Sequence, residues 1–388
     1  MVTNQCLRIG EVQARFSHGT FTFCAVALAQ SGSSPHSQLY GKIHTNSSDL
    51  KDPSEGSLPL ISGKHMRLRR RPMLLRDVQR CAELIASHPL ESKRYSQLAE
   101  QLPSAWKQCL RSGSLITVVL EDMESGKPSL QGFGVSVFVT DEFTYSCKMP
   151  SMRWIGPELV RRLMRGDSPV LGLQAIRDAN SNGGLNLASW AAVLCPRNEA
   201  DRSHVQIELM TAFMQEHCGF KLKEIIGQQN ERIMMEVVSN SGGFFWDCAQ
   251  ERYVEAHNFD VEKVLLHPFI LGATPETARQ HLSWTTTLFQ YSQPRMYPKP
   301  AEQKLLSAAI RGLKDEELSC ELSVSLSFIK KTWSSIYIRA AEKLPELNLE
   351  IAAGSVSQRG KEKKQRVLSY LREHPEELRP ISLSKLRL

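Results

Sequence analysis

Three helix-forming runs between Glu302 and Lys343, cut at two short points, constrain this chain more than any other feature. The first, Glu302–Arg311, carries Leu305, Leu306, Ala309 and Ile310 as an apolar stripe and is stopped by Gly312. The second, Asp315–Leu322, is short and opens on Asp315-Glu316-Glu317, the charges that a helix dipole favours in a first turn. Ser323-Val324-Ser325 then makes a tight turn, and Ser325 is placed to cap the third run with its side-chain oxygen. In that run Ile329, Trp333 and Ile336 recur at i, i+4 and i+7, which buries one face. Ser327, Lys330, Lys331, Ser334 and Ser335 fall mostly on the other.

A helix, a short helix, a tight turn and a helix with small, hydroxyl and cationic residues outward is helix-turn-helix geometry. Residues 302–344 resemble the LuxR-type helix-turn-helix of bacterial transcription regulators. Glu302, Gly312-Leu313, Glu317-Leu318-Ser319, Leu322, Val324 to Leu326 around Ser325, and Ile329-Lys330 fill that family's pattern. The match covers about 45 of 388 residues. Two positions depart from it: Phe328 stands where the family usually has threonine, and Thr332 where it often has histidine. The base preference therefore does not carry over, whereas the backbone-contacting role of the family's lysine passes to Lys330. The resemblance implies double-stranded DNA as partner, a homodimer reading two half-sites, and a recognition helix from Ser325 to about Arg339. Expected DNA contacts are Ser325, Ser327, Phe328, Lys330, Lys331, Ser334, Ser335 and Arg339. Lys330 and Lys331 neutralise phosphates, and Ser327 and Ser334 approach base edges or backbone.

The charge distribution points the same way. The chain has 48 Lys+Arg and 41 Asp+Glu, a formal net charge of +7. Residues 299–388 hold 17 Lys/Arg against 12 Asp/Glu, so +5 of that lies in the last quarter. Arg359, Lys361, Lys363 and Lys364 form a second cationic stretch that runs into an amphipathic helix, Val367–Arg372. It reads either as a further helix of the module, which in that family commonly dimerises, with its basic end on phosphate, or as a solvated tail. If roughly six phosphates are neutralised in total, affinity falls about a thousand-fold between 50 and 200 mM salt.

With 388 residues, two to three domains are expected. Hydrophobic residues make up 41%, enough for a proper core, and no run is long and apolar enough for a transmembrane helix. Residues 1–65 are rich in turn formers, such as Ser33-Ser34-Pro35 and Asn46-Ser47-Ser48, and read as a disordered extension. One apolar run, Phe21–Ala29, imitates a signal peptide and is taken as a chance stretch, Met66 being a candidate true start. Tyr291–Pro300, with three prolines, reads as a semi-rigid linker. The expected domains are 66–290, mixed α/β; 301–347, all-α; and a basic tail with a helix over 348–388.

Between Met66 and residue 290 the expected elements are a strand at 66–70, helices ending near Ser87 and Leu110, and strands Leu115–Leu120 and Leu130–Val139. A helix at Ile155–Arg165, a strand at Asn186–Leu194, a helix at His204–Cys218 and strands at 221–227 and 233–238 follow. No paired aspartates follow the first strand, which excludes a phosphoacceptor receiver. This order resembles the N-acetyltransferase fold. That family cradles the pyrophosphate of acetyl-CoA on a glycine-rich loop. Pro196–Ser203 occupies the corresponding place without a glycine, so the resemblance implies a fold whose activity has been lost. A PAS-like or GAF-like sensor is the alternative, and a small-molecule or protein signal is the expected input. An acyl-CoA-dependent N-acyltransferase with a helical appendage is the rival function, and a scaffold whose helices bind a partner protein is a third.

The nine cysteines are scattered and form no C-x-x-C, which reads as reduced thiols in a cytoplasmic protein. Cys195, His204, His217 and Cys218 follow no zinc spacing and read as core or surface residues. Gly132-x-Gly134 lies in a strand without a following G-K-S/T, so it is no phosphate loop. No catalytic residue, metal or cofactor is assigned.

Overall fold

A computed structural model describes residues 10–16, 19–25, 66–88, 91–124, 126–152, 154–228, 241–254, 269–281, 284–349 and 358–382. The chain divides into two units, Met1–Gly63 and Lys64–Leu388. In the first unit β1 (Gly10–Phe16) and β2 (Gly19–Ala25) pair antiparallel, Val12 opposite Phe23. This differs from the structureless extension expected there. Val12, Ala14 and Phe16 alternate with polar residues, as do Phe21 and Phe23, and that period of two suits a ribbon. The signal-like run thus begins inside β2.

The second unit is built on a mixed sheet whose central strands are near-continuous apolar runs, as burial on both faces requires. Its strands are β3 (Leu68–Arg71), β4 (Leu115–Asp122), β5 (Ser129–Val139), β6 (Leu185–Leu194), β7 (Leu222–Gly227), β8 (Phe244–Asp247), β9 (Arg252–Val254) and β10 (Phe269–Ala273). Their order is β3-β4-β5-β6-β7-β10-β8-β9. Neighbours are antiparallel except β6 and β7, which run parallel. A parallel pair needs a crossover, and α7 (Arg202–His217) supplies it. Residues 233–238, expected as a strand, lie outside the described residues.

Both faces of the sheet are covered. Leu115 and Val119 of β4 join a core with Phe133, Val135 and Val137 of β5 beneath α1 (Val78–Ser87), α3 (Leu102–Arg111) and α5 (Ile155–Arg165). Trp106 is fully buried there, its ring edge-on to Phe133 and to Trp190 at 6.1 Å each. Such pairs add about 0.5–1.5 kcal/mol beyond area burial. Val118 and Leu120, one residue out of step, pack instead on Val205, Leu209 and Ala212 of α7. A Cβ on Gly134 would sit 3.2 Å from Val118 and 3.5 Å from Leu209, so the glycine lets α7 lie close to the sheet.

Several described helices have no counterpart in the sequence reading. Asp141 and Glu142 open α4 (Asp141–Cys147), whose first turn Thr140 caps at Phe143 N, 3.2 Å away. The helix α6 (Leu173–Ser181) buries Ile176 and Asn180. The short α2 (Glu91–Tyr95), α8 (Pro275–His281) and α9 (Thr285–Leu288) complete this part.

Four helices follow: α10 (Pro300–Ala309), α11 (Asp315–Leu322), α12 (Leu326–Lys343) and α13 (Gln358–Glu373). Leu305, Leu306, Leu318, Ile329, Trp333, Ile336, Val367 and Leu371 share one core, so the apolar stripes of all four turn inward. The proline stretch is pinned rather than free. Met296 is buried in that core, and Glu377 accepts the amides of Arg295 at 2.8 Å and Met296 at 2.9 Å.

Candidate nucleic-acid interface

The seam of α12 is fixed by one carboxylate. Glu302 is 3% exposed. It accepts from Lys299 N at 2.7 Å, Ser335 Oγ at 2.6 Å and Arg339 Nε at 2.9 Å. Burial alone would raise its pKa; the hydrogen bonds from Ser335, Lys299 and Arg339 outweigh that and hold it below the usual carboxylate value. The residue that caps α10 therefore also anchors α12. Ser335 and Arg339, both expected on the DNA face, spend their polar groups on this contact. Thr332 is buried as well, and its hydroxyl donates to Phe328 O at 2.8 Å.

The start of α12 lies where the sequence placed it. Ser325 Oγ accepts from Phe328 N at 3.2 Å and touches Ser327 Oγ at 2.9 Å. Ser323, in the turn, has φ +54, a left-handed conformation that closes α11. Beyond the cap, Leu326, Ser327, Phe328, Lys330, Lys331 and Ser334 are all exposed. Ser334 Oγ turns back to Lys330 O at 3.1 Å. Lys330 and Lys331 have no carboxylate partner among the described residues. Opposite them Ile329, Trp333, Ile336 and Ala340 are buried. The helix thus divides into an inner face held by core and Glu302, and an outer face bearing two unpaired cations.

The basic tail is split. Lys364 Nζ binds Asp315 Oδ1 at 2.7 Å and lies 5.0 Å from the Trp333 ring centroid, so it ties α13 to α11 and α12. Lys361 and Lys363 have no carboxylate partner among the described residues, and the side chain of Arg359 lies outside them. Val367 and Leu371 are fully buried within this chain. The apolar stripe of α13, read either as part of a dimerising helix or as a solvated tail, is taken up internally, which leaves its polar face outward.

The sheet unit holds a second polar arrangement. His217, buried at the end of α7, lies 2.7 Å by Nδ1 from Phe213 O and 2.9 Å by Nε2 from Ser136 Oγ on β5. A proton on Nδ1 satisfies both contacts, with the serine donating. Burial lowers the His217 pKa to about 3. The adjoining cavity of about 30 Å³ has Leu209 and Phe213 in its wall. In the loop after β6, Arg197 N donates to Gln131 Oε1 at 3.1 Å. Among the described residues no group of His, Cys, Asp and Glu is arranged to hold a metal, and no helix is long and apolar enough to cross a membrane.

No family model matches the chain, and no curated protein matches it. Among solved structures it is similar to the C-terminal condensation domain of Ebony in complex with beta-alanyl-dopamine. The identity is 10% over 54% of this chain and 98% of that chain, with a TM-score of 0.29. A likeness that low assigns neither a fold nor an activity.

Proposed function

We propose that this chain is a LuxR-type helix-turn-helix transcription regulator that reads the major groove of double-stranded DNA with α12, as a homodimer. The observation that carries the proposal is the two-faced third helix. A capped turn leads into a helix whose inner face is buried and whose outer face presents Lys330 and Lys331 unpaired beside small hydroxyl residues. Unpaired cations on one helix face are the electrostatic footprint of phosphate binding, and small neighbours allow close approach to a duplex. The DNA contacts are narrowed to Ser327, Phe328, Lys330, Lys331 and Ser334, with Ser325 as the cap. Ser335 and Arg339 position the helix through Glu302. Fluorescence anisotropy of a labelled duplex with the full chain tests this. Binding that weakens with salt and is reduced in Lys330→Ala/Lys331→Ala supports it; equal binding by both proteins overturns it.

The element order β3, α1 to α3, β4, β5, then β6, α7, β7 supports an N-acetyltransferase-like reading of residues 66–290, with the three helices α4 to α6 inserted between β5 and β6. The loop Pro196–Ser203 argues against acyl-CoA turnover, since it has no glycine and the amide of Arg197 is already occupied by Gln131. This part is proposed to act as the sensor. A rise in melting temperature with acetyl-CoA, accompanied by turnover, would instead favour the N-acyltransferase.

A further inference from the structure

Phe328 and Leu326 are exposed by 43% and 42%, at the very start of α12. An isolated exposed apolar side chain is ordinary. This one has a particular setting. Its own amide is held by Ser325 and its carbonyl by Thr332, so the first turn around it is fixed. It is exposed on the flank of α12 next to Ser327 and Lys331, with Lys330 about 160° round the helix axis, and no ring among the described residues stacks on it.

On the reading that α12 enters the major groove, this turn is the part nearest the base edges, because the N-terminal residues of a recognition helix make the base contacts. A phenyl ring has neither donor nor acceptor, so phosphates and hydrogen-bonding base atoms give it nothing. The C5 methyl group of thymine is the one apolar group that a base edge presents in the major groove. We propose that Phe328 selects thymine at one position of each half-site by packing its ring against that methyl group. The inference rests on the DNA-binding reading of α12 and adds a specificity that the two lysines cannot supply, since contacts to phosphate carry no sequence information.

The test uses the full chain and a duplex recovered by its own selection from a random pool. Each thymine of a half-site is replaced singly by uracil, which removes the methyl group and nothing else. The expected result is one position at which wild-type affinity falls about fourfold, the worth of one buried methyl. Phe328→Ala is insensitive to uracil at that position, Phe328→Leu keeps part of the penalty, and Leu326→Ala keeps all of it. Phe328 is exposed, and an unchanged melting temperature shows that the variants fold. Sequence-selective binding with uracil neutral everywhere, or with the penalty intact in Phe328→Ala, overturns the assignment of Phe328 and leaves the DNA reading standing. Absence of any preferred duplex overturns both.

Discussion

Arg339 Nε lies 2.9 Å from Glu302 Oε2 and so ties the last turns of α12 to the first turn of α10. The pair is enclosed, and Ser335 and the Lys299 amide satisfy the rest of the carboxylate. Removing the carboxylate leaves the Lys299 amide, the Ser335 hydroxyl and the Arg339 guanidinium without their acceptor, and each buried donor left unsatisfied costs about 1–3 kcal/mol. Glu302→Ala is expected to destabilise the protein by that order in urea unfolding. Arg339→Ala should cost less, since the arginine is more exposed and the carboxylate keeps two donors. Equal stability of Glu302→Ala and wild type would contradict the role given to this residue.

Acid should act through His217. Its folded pKa of about 3 lies below the ordinary histidine value of 6.5, so between them the unfolded chain binds a proton that the folded chain does not. Stability is therefore full above about pH 6.5 and declines as pH falls toward 3, by at most about 1.4 kcal/mol per pH unit. The lowered pKa of Glu302 adds a further loss below the ordinary carboxylate range, with the same sign. Melting temperature against pH, compared with His217→Gln, checks this: the variant should lose the decline between pH 6.5 and 5.

The C-terminal segment is clamped to the sheet unit. Arg379 donates to Cys218 O at 2.8 Å and Gln215 O at 2.7 Å and lies over the Phe220 ring. Gly219 has φ +82, and a Cβ there would lie 2.3 Å from Glu376 N. Gly219→Ala faces both a left-handed backbone and a collision with main chain, and should cost more than about 1 kcal/mol. Hydrogen exchange should rise at residues 375–382 in that variant. Unchanged protection would show that the clamp contributes nothing.

Lys330 and Lys331 of α12 should both show in the salt dependence of binding. Lys330→Ala and Lys331→Ala are expected to weaken binding to all duplexes alike and to lower the slope of log K against log salt by about 1 each. Lys364→Ala should leave the slope unchanged, because that cation is already paired with Asp315. Titration at three salt concentrations distinguishes these outcomes.

Much of this architecture was legible from period and punctuation. The apolar runs Leu115–Leu120 and Leu130–Val139, Gly312 and the Ser325 cap each have a local cause, and each appears where the residues put it. What was missed depends on partners distant in sequence. Glu302 reads as a helix opener, and only the fold brings Ser335 and Arg339 to it, 33 and 37 residues away. A weak signal existed: Thr332 and Arg339 follow Ile329 and Ile336 by three residues, which turns them toward the buried side. The helix α6 was overlooked because its single buried aliphatic residue, Ile176, gives little periodicity. The short strands β8, β9 and β10 are held by sheet pairing and have too few residues to show a pattern.

The most direct measurement is selection of bound duplexes from a random pool by the full chain and by Lys330→Ala/Lys331→Ala. The account predicts a palindromic motif for the wild type, with half-sites about one helical turn apart, lost or strongly weakened in the variant. No enriched motif, with equal weak retention of DNA by both proteins, would contradict it.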